Sequence, residues 1–220
     1  MNDEKNLAWP VYLLLLVIIS FQILYGIGGT ALLDPDEPVY AETAKEMIRF
    51  GDYLSPRIYN EFWYDKPPIF YWLVAASFKL FGGFSELTAR LPAALMAIGS
   101  ILMTALASAR LFGARTGFWS GIVMGTSIIL MYMGKASVTD STLLFFMTAA
   151  LFSFIHRQYW LMYLACGLAV MTKGPIGVVF PAGIVFFYLL TTRQLEQLLR
   201  MHVLRGLLLV VVVGLPWYIY

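Results

Sequence analysis

Apolar runs close to the length of a membrane crossing recur along this chain, and no other feature restricts its fold so strongly. A transmembrane helix needs roughly 20 predominantly apolar residues. Candidate spans lie at residues 8–29, 87–109, 116–134, 141–156, 159–172, 175–192 and 206–220. Charged residues make up only 13% of the sequence and hydrophobic ones 60%, whereas soluble domains carry about a quarter charged residues. The expected fold class is therefore all-α, a polytopic transmembrane helical bundle. The first run follows MNDEK, exceeds the hydrophobic region of a signal peptide and lacks a clear small-residue cleavage site, so it reads as a retained anchor. The last run, GLLLVVVVGLPWYIY, has no flanking charge or polar tail. Residues 1–220 are expected to form one incomplete domain of a longer protein.

Topology turns on PPIFYWLVAASFKLFGG, whose apolar stretch of about 13 residues is short for a crossing. If it lies at the interface and the N-terminus is cytoplasmic, Lys5, Arg110, Arg115, Arg157, Arg193, Arg200 and Arg205 all fall inside, as the positive-inside tendency favours. Residues 31–84 then form the first extracytoplasmic loop, containing interfacial helices, although Lys45, Arg49, Arg57 and Lys66 within it do not follow that tendency. Asp34, Asp36, Glu37, Asp65, Lys66, Asp140 and Lys173 consequently reach one outer face from the ends of different helices. A site at a single membrane surface is the expectation.

Several chemistries leave no trace. A net charge of +2 without a Lys/Arg-rich run argues against a nucleic-acid partner. Cys166 stands alone in an apolar run, which excludes an intramolecular disulfide or a cysteine-based zinc site. His156 and His202 fall on the expected cytoplasmic side, remote from the acids, so neither a histidine triad nor an HExxH zinc site is available. No Walker A or GxGxxG loop occurs. No cofactor is called for, while Asp34, Asp36, Glu37 and Asp65 offer hard oxygen ligands to a divalent ion.

The ionisable groups are concentrated. Residues 32–72 hold eight of the chain's 13 acidic residues. Within them DPDEPVYAETAKEMIRFGD reads as an amphipathic helix lying along the membrane: Tyr40, Ala44, Met47 and Ile48 share one face, while Glu42, Lys45, Glu46 and Arg49 lie off it. Asp36 and Glu37 fall at its N-terminal cap, where acids are common, so capping and catalysis both stay open. YDKPP starts another short helix, and Lys66 beside its N-terminus makes a good phosphate site or a lysine snorkelling to water. Asp140 opens a further helix in GKASVTDST, and Lys173 sits in MTKGP, where Gly174 and Pro175 break two spans apart. Tyr53, Tyr59, Phe62, Trp63, Tyr64, Phe70, Tyr71 and Trp72 form either an interfacial aromatic belt or a platform for a sugar or isoprenoid.

Taken in order, DPDEPVYAETAKEM, GDYLSPRIYN, YDKPPIFYWLVAASFKLFG, ELTARLPAAL, ASVTDSTLLFF, MTKGP and LPWY resemble the N-terminal half of the GT-C glycosyltransferases that use polyprenyl-phosphate sugars. The resemblance covers nearly all of residues 8–220 and is greatest to the branch containing the lipid A aminoarabinose transferases, with protein O-mannosyltransferases more distant. It implies sugar transfer at the outer face, by inversion, from an undecaprenyl-phosphate-sugar donor to a lipid A-like, glycan or protein acceptor in a bacterial inner membrane. It also implies roles for individual residues. Asp36, Glu37 and Asp140 are the expected catalytic group, and Lys66, Tyr40, Asp65 and Lys173 the expected substrate-binding group. Val39 departs from the branch, which usually carries an arginine there. A secondary transporter or flippase, or an inactive remnant, are the alternatives.

Overall fold

The computed structural model describes residues 2–220, with side chains from Pro10 onward. Lys5, counted among the cytoplasmic cations, lies outside the described side chains. In chain order the elements are α1 (Asn2–Leu24), α2 (Asp36–Phe50), β1 (Arg57–Ile58), β2 (Glu61–Phe62), α3 (Ile69–Phe81), α4 (Glu86–Phe112), α5 (Ala114–Gly125) and α6 (Ile128–Gly134). There follow α7 (Asp140–Ile155), α8 (Tyr159–Lys173), α9 (Ile176–Thr191), α10 (Gln197–Arg200), α11 (Val203–Gly214) and α12 (Pro216–Ile219). The chain is mostly helical, as its apolar runs require, with one small hairpin added.

Among the described residues, only α4 is by itself long and apolar enough to cross a membrane; Pro10–Leu24 of α1, and α3, α7, α9 and α11, are shorter apolar helices. Two runs read as continuous are broken. Residues 116–134 divide into α5 and α6, bent by 68°, and residues 206–220 divide ahead of Pro216, whose missing N–H cannot continue the helix. The ends of α4 are written in its sequence. Ser85 and Thr88 form a reciprocal capping box at the start, and Gly113, at φ 94°, closes the other end. The start of α2 is different: Asp36 and Glu37 were candidates to cap it, yet its N-cap is Pro35 and no side chain caps it.

Within the first loop, α2 and α3 pack on the start of α4 and on residues 136–138 through Tyr40, Met47, Phe70, Tyr71, Val74 and Val138. The hairpin turns through Tyr59 and Asn60, both left-handed at φ 54° and 70°, as a two-residue turn matching strand twist demands. Spacing placed Glu46 off the apolar face of α2, but it is 3% exposed. Its carboxylate accepts the Asn60 N–H at 3.1 and 3.2 Å and so pins the turn to the helix. Further along, α4 packs against α1, α3, α5, α6 and α7, while α8 packs against α7, α9 and α11. Gly177 lets α9 lie on α8, since a Cβ there would come 2.4 Å from the Ala169 carbonyl carbon.

One ion pair ties this framework together. Glu37 and Arg90 are 2% and 3% exposed. Arg90 Nε donates to Glu37 Oε1 at 2.8 Å and Nη2 to Oε2 at 2.7 Å, the fork geometry in which guanidinium and carboxylate match best. The same carboxylate accepts the N–H groups of Leu33 at 2.8 Å and Ser137 at 2.6 Å. Arg90 also donates to the carbonyls of Ile27, Thr30 and Ala31 at 2.7, 2.9 and 2.8 Å. Four chain segments therefore meet at two side chains. Burial works against the charged carboxylate, but the Arg90 hydrogen bonds and the two backbone N–H groups outweigh it and hold Glu37 below its ordinary 4.5.

Removing one member of such a pair strands a buried charge, so Glu37→Ala or Arg90→Ala is expected to cost about 3–5 kcal/mol of stability in detergent unfolding. Replacing both by apolar residues should not restore it, because three carbonyls lose their donors. The pH dependence has a definite sign. A depressed folded pKa gives stability that is complete above about 4.5 and lost as pH falls through the folded value. Glu37→Gln is expected to flatten that acid limb in a pH series of unfolding midpoints.

Candidate functional site

The N-terminal end of α3, the junction of α8 with α9, and α12 enclose an open cavity of about 870 Å³. Its lining includes Tyr64, Asp65, Lys66, Lys173, Trp217 and Tyr218. Lys66 stands just before Pro67 and Pro68, and α3 begins at Ile69, after both prolines. Lys173 is the last residue of α8, where Gly174 at φ 86° stops the helix. Both lysines carry carboxylate partners. Lys66 Nζ lies 3.1 Å from Asp65 Oδ2, and Lys173 Nζ lies 2.8 Å from Asp140 Oδ1. Asp140, the first residue of α7, thus pairs across to α8, and no side chain caps α7.

Tyr40 links this cavity to the first loop. Its ring meets Phe70 edge-on at 5.3 Å and Tyr71 at 5.8 Å between centroids. Burial raises its pKa; the Thr139 hydroxyl opposes the rise, and the charges of Asp65, Asp36 and Asp140 add to it. Three carboxylates from three segments therefore act on one phenol, which keeps its proton at neutral pH and can only donate to an anion. Asp36 is exposed at the first residue of α2. Among the described residues its side chain makes no hydrogen bond or ion pair, which leaves it free for an incoming group.

Site residues from the sequence separate into three roles. Lys66, Asp65 and Lys173 line the cavity. Asp140 reaches the cavity through Lys173, and Tyr40 lies within electrostatic range of both Asp140 and Asp36. Glu37 is turned away into the protein and spends its acceptors on Arg90, Leu33 and Ser137. Asp34, Asp36, Glu37 and Asp65 do not gather into a ligand set: among the described residues no three acidic, histidine or cysteine side chains are placed to share a metal ion. Arg90 and Ser137 were missed. Arg90 had a signal, an arginine inside the apolar run ELTARLPAAL; Ser137 acts through its backbone N–H and had none.

The aromatic residues divide between core and rim. Phe70 and Tyr71 are buried, and half-buried Trp72 donates its indole N–H to the Tyr53 carbonyl at 2.6 Å. Tyr59, Phe62, Trp63 and Tyr64 remain exposed. Tyr64 lies 6.1 Å from Trp217, whose indole N–H reaches the Leu54 carbonyl at 2.9 Å and brings α12 to the loop. The opposite ends of α4, α7 and α9 surround a separate cavity of about 360 Å³, lined by Leu111, Phe154, Arg157 and Gln194 among others.

The chain is similar to known proteins. An uncharacterised protein of Aquifex aeolicus is 34% identical over 217 residues, covering 95% of this chain and 43% of its own length. The undecaprenyl phosphate-alpha-4-amino-4-deoxy-L-arabinose arabinosyl transferase of Pectobacterium carotovorum is 30% identical over 226 residues, covering 97% and 40%. ArnT from Cupriavidus metallidurans superposes in its apo state with a TM-score of 0.85 at 26% identity, over 97% of this chain and 42% of that one. Its structure bound to undecaprenyl phosphate gives 0.86 at 27%, over 94% and 40%. The chain thus spans less than half the length of these relatives. Residues 65–220 match the family described as dolichyl-phosphate-mannose-protein mannosyltransferase, and the chain belongs to that family.

Proposed function

We propose that the complete protein is a glycosyltransferase of a bacterial inner membrane, moving a sugar from a polyprenyl phosphate to an envelope acceptor at the outer face. The observation that carries this reading is the pair Lys66 and Lys173 on one cavity, in a chain whose fold matches ArnT bound to undecaprenyl phosphate. The seven candidate spans, the interfacial position of α2 and α3 and the cytoplasmic N-terminus belong to the same proposal. In support, the cavity with the lysines and the cavity with Arg157 lie at opposite ends of α9.

In the mechanism, the donor's phosphate is the leaving group. As its bond to the anomeric carbon breaks, negative charge grows on the phosphate, and Lys66 and Lys173 stabilise it there. The acceptor attacks from the opposite face, which inverts the anomeric centre. Asp36, exposed and unpaired, takes the proton if the acceptor is a hydroxyl; an acceptor phosphate is already anionic and needs no base. Glu37 contributes by fixing the first turn of α2, and with it Asp36, through Arg90. Lipid A-like, glycan and protein acceptors all remain consistent with this scheme.

Transfer of labelled sugar from undecaprenyl-phosphate-sugar to membrane acceptors tests it on the full-length protein. Asp36→Asn is expected to lower kcat by about 10²–10⁴-fold for a hydroxyl acceptor, with the donor's Kd little changed. Transfer at the wild-type rate would remove Asp36 from the chemistry. Lys66→Met is expected to lower kcat/KM by about 10²–10³-fold, and proton-coupled uptake without covalent transfer would favour a transporter.

A further inference from the structure

Each lysine on the cavity is already neutralised. Lys173 and Lys66 are the cations among the cavity's lining residues, and they are bound by Asp140 at 2.8 Å and Asp65 at 3.1 Å. Two lysines and two aspartates sum to zero formal charge, so an anion arriving at the cavity meets no net attraction until a carboxylate gives way. These pairs are well placed to give way. Their side chains are 28% to 50% exposed, whereas those of Glu37 and Arg90 are both 3% exposed. Exposed pairs are screened, wet and weak.

The surroundings of Asp140 offer its carboxylate a second position. Its sole side-chain partner among the described residues is Lys173. Next to it in the chain, Thr139 is 1% exposed, and its hydroxyl faces the Tyr40 phenol without a hydrogen bond of good geometry. The Tyr40 phenol lies within the influence of Asp140 and Asp36 alike, and the buried hydroxyl of Tyr71 beside it is also unpartnered. A buried donor without an acceptor is costly. Two such hydroxyls, those of Thr139 and Tyr71, flank the Tyr40 phenol, and Thr139 adjoins Asp140 in the chain; together they describe a place that carboxylate can occupy.

We propose that Asp140 and Asp65 are exchangeable counter-ions: the phosphate of a polyprenyl-phosphate ligand displaces them from Lys173 and Lys66, and the released Asp140 turns toward Tyr40 and Thr139, on the side where Asp36 stands. The idea rests on the glycosyltransferase reading above. It makes Asp140 a positioning residue whose location reports whether donor is bound. No bond is made or broken in the exchange; one anion replaces another on each lysine.

Binding of undecaprenyl phosphate, without sugar, to the full-length protein in nanodiscs tests the exchange. Asp140→Asn is expected to tighten binding by roughly 2- to 5-fold, the worth of an exposed ion pair no longer competing. Lys173→Met should weaken binding, and in that background Asp140→Asn should change nothing, because the two act through their contact. A general charge effect would survive Lys173→Met, and that result, or unchanged or weaker binding by Asp140→Asn alone, overturns the exchange. Asp65→Asn, in the exposed segment before Pro67, gives a second reading with the same sign if the Asp140 variant fails to fold. Failure of the wild-type protein to bind undecaprenyl phosphate would overturn the donor assignment and the exchange with it, whereas wild-type binding with no tightening removes the exchange alone.

Discussion

The buried pair of Glu37 and Arg90 is the constraint on which the cavity end of this molecule depends. An arginine near the start of an apolar helix has to find acceptors, because it cannot shed its charge. Here it finds six: two carboxylate oxygens of Glu37, the backbone carbonyls of Ile27, Thr30 and Ala31, and the Thr30 hydroxyl. Those acceptors come from the exit of α1, the turn before α2 and α2 itself. Glu37 in turn holds the N–H of Ser137, just ahead of α7. The elements that carry Asp36, Tyr40 and Asp140 are thus fixed relative to one another by hydrogen bonds that exclude water, and side-chain packing of the Tyr40, Phe70 and Tyr71 cluster fills the space around them.

Two electrostatic regimes follow, and they divide structure from function. Glu37 and Arg90 are sealed, mutually satisfied and unavailable to a ligand. The pairs at Lys66 and Lys173 are half in water, each made by a single short contact. Burial makes the first pair costly to break, and exposure makes the others easy to exchange. Between the regimes stands Asp36, one residue from the sealed glutamate yet exposed and unpaired. Adjacent residues on α2 point about 100° apart around the helix axis, so one acid can face the protein while its neighbour faces the site. The Asp-Glu doublet is in this sense a buried, fully paired residue and an exposed, unpaired one made adjacent by helical geometry.

Much of this was legible in the sequence because it depends on local rules. Apolar runs gave helices, Gly174 marked where α8 stops, and the ordered motifs located residues that line the cavity. What stayed hidden depends on partners far along the chain. Spacing assigned Glu46 to the solvent side of α2, since nothing near it announces that the Asn60 N–H will arrive 14 residues later. Asp36, Glu37 and Asp140 sit at helix starts where carboxylates commonly cap, and local reasoning could not know that Arg90 and Lys173 would claim two of them. The hairpin at residues 57–62 is too short for an alternating pattern, and its signal reduces to one asparagine able to take a left-handed turn. The breaks within residues 116–134 and 206–220 were obscured because the flanking residues on both sides are apolar.

The concentration of charge in a chain this apolar has a physical reason in these contacts. Hydrocarbon cannot host an isolated ion, so on the proposed reading, in which the ligand is an anionic headgroup on a long apolar tail, the cations must stay where water reaches them with hydrocarbon surface below. Cations left bare at that boundary would attract any anion and repel one another. A carboxylate beside each lysine cancels both effects while leaving the site open to a ligand that outcompetes it. Such counter-ions work only if their backbone is held still, since a loop free to drift would collapse onto the lysines or leave them. That rigidity traces back to α2, pinned at its first turn by Arg90 and at its last turns by the Asn60 contact to Glu46. The sealed ion pair is what allows the exposed ones to be labile.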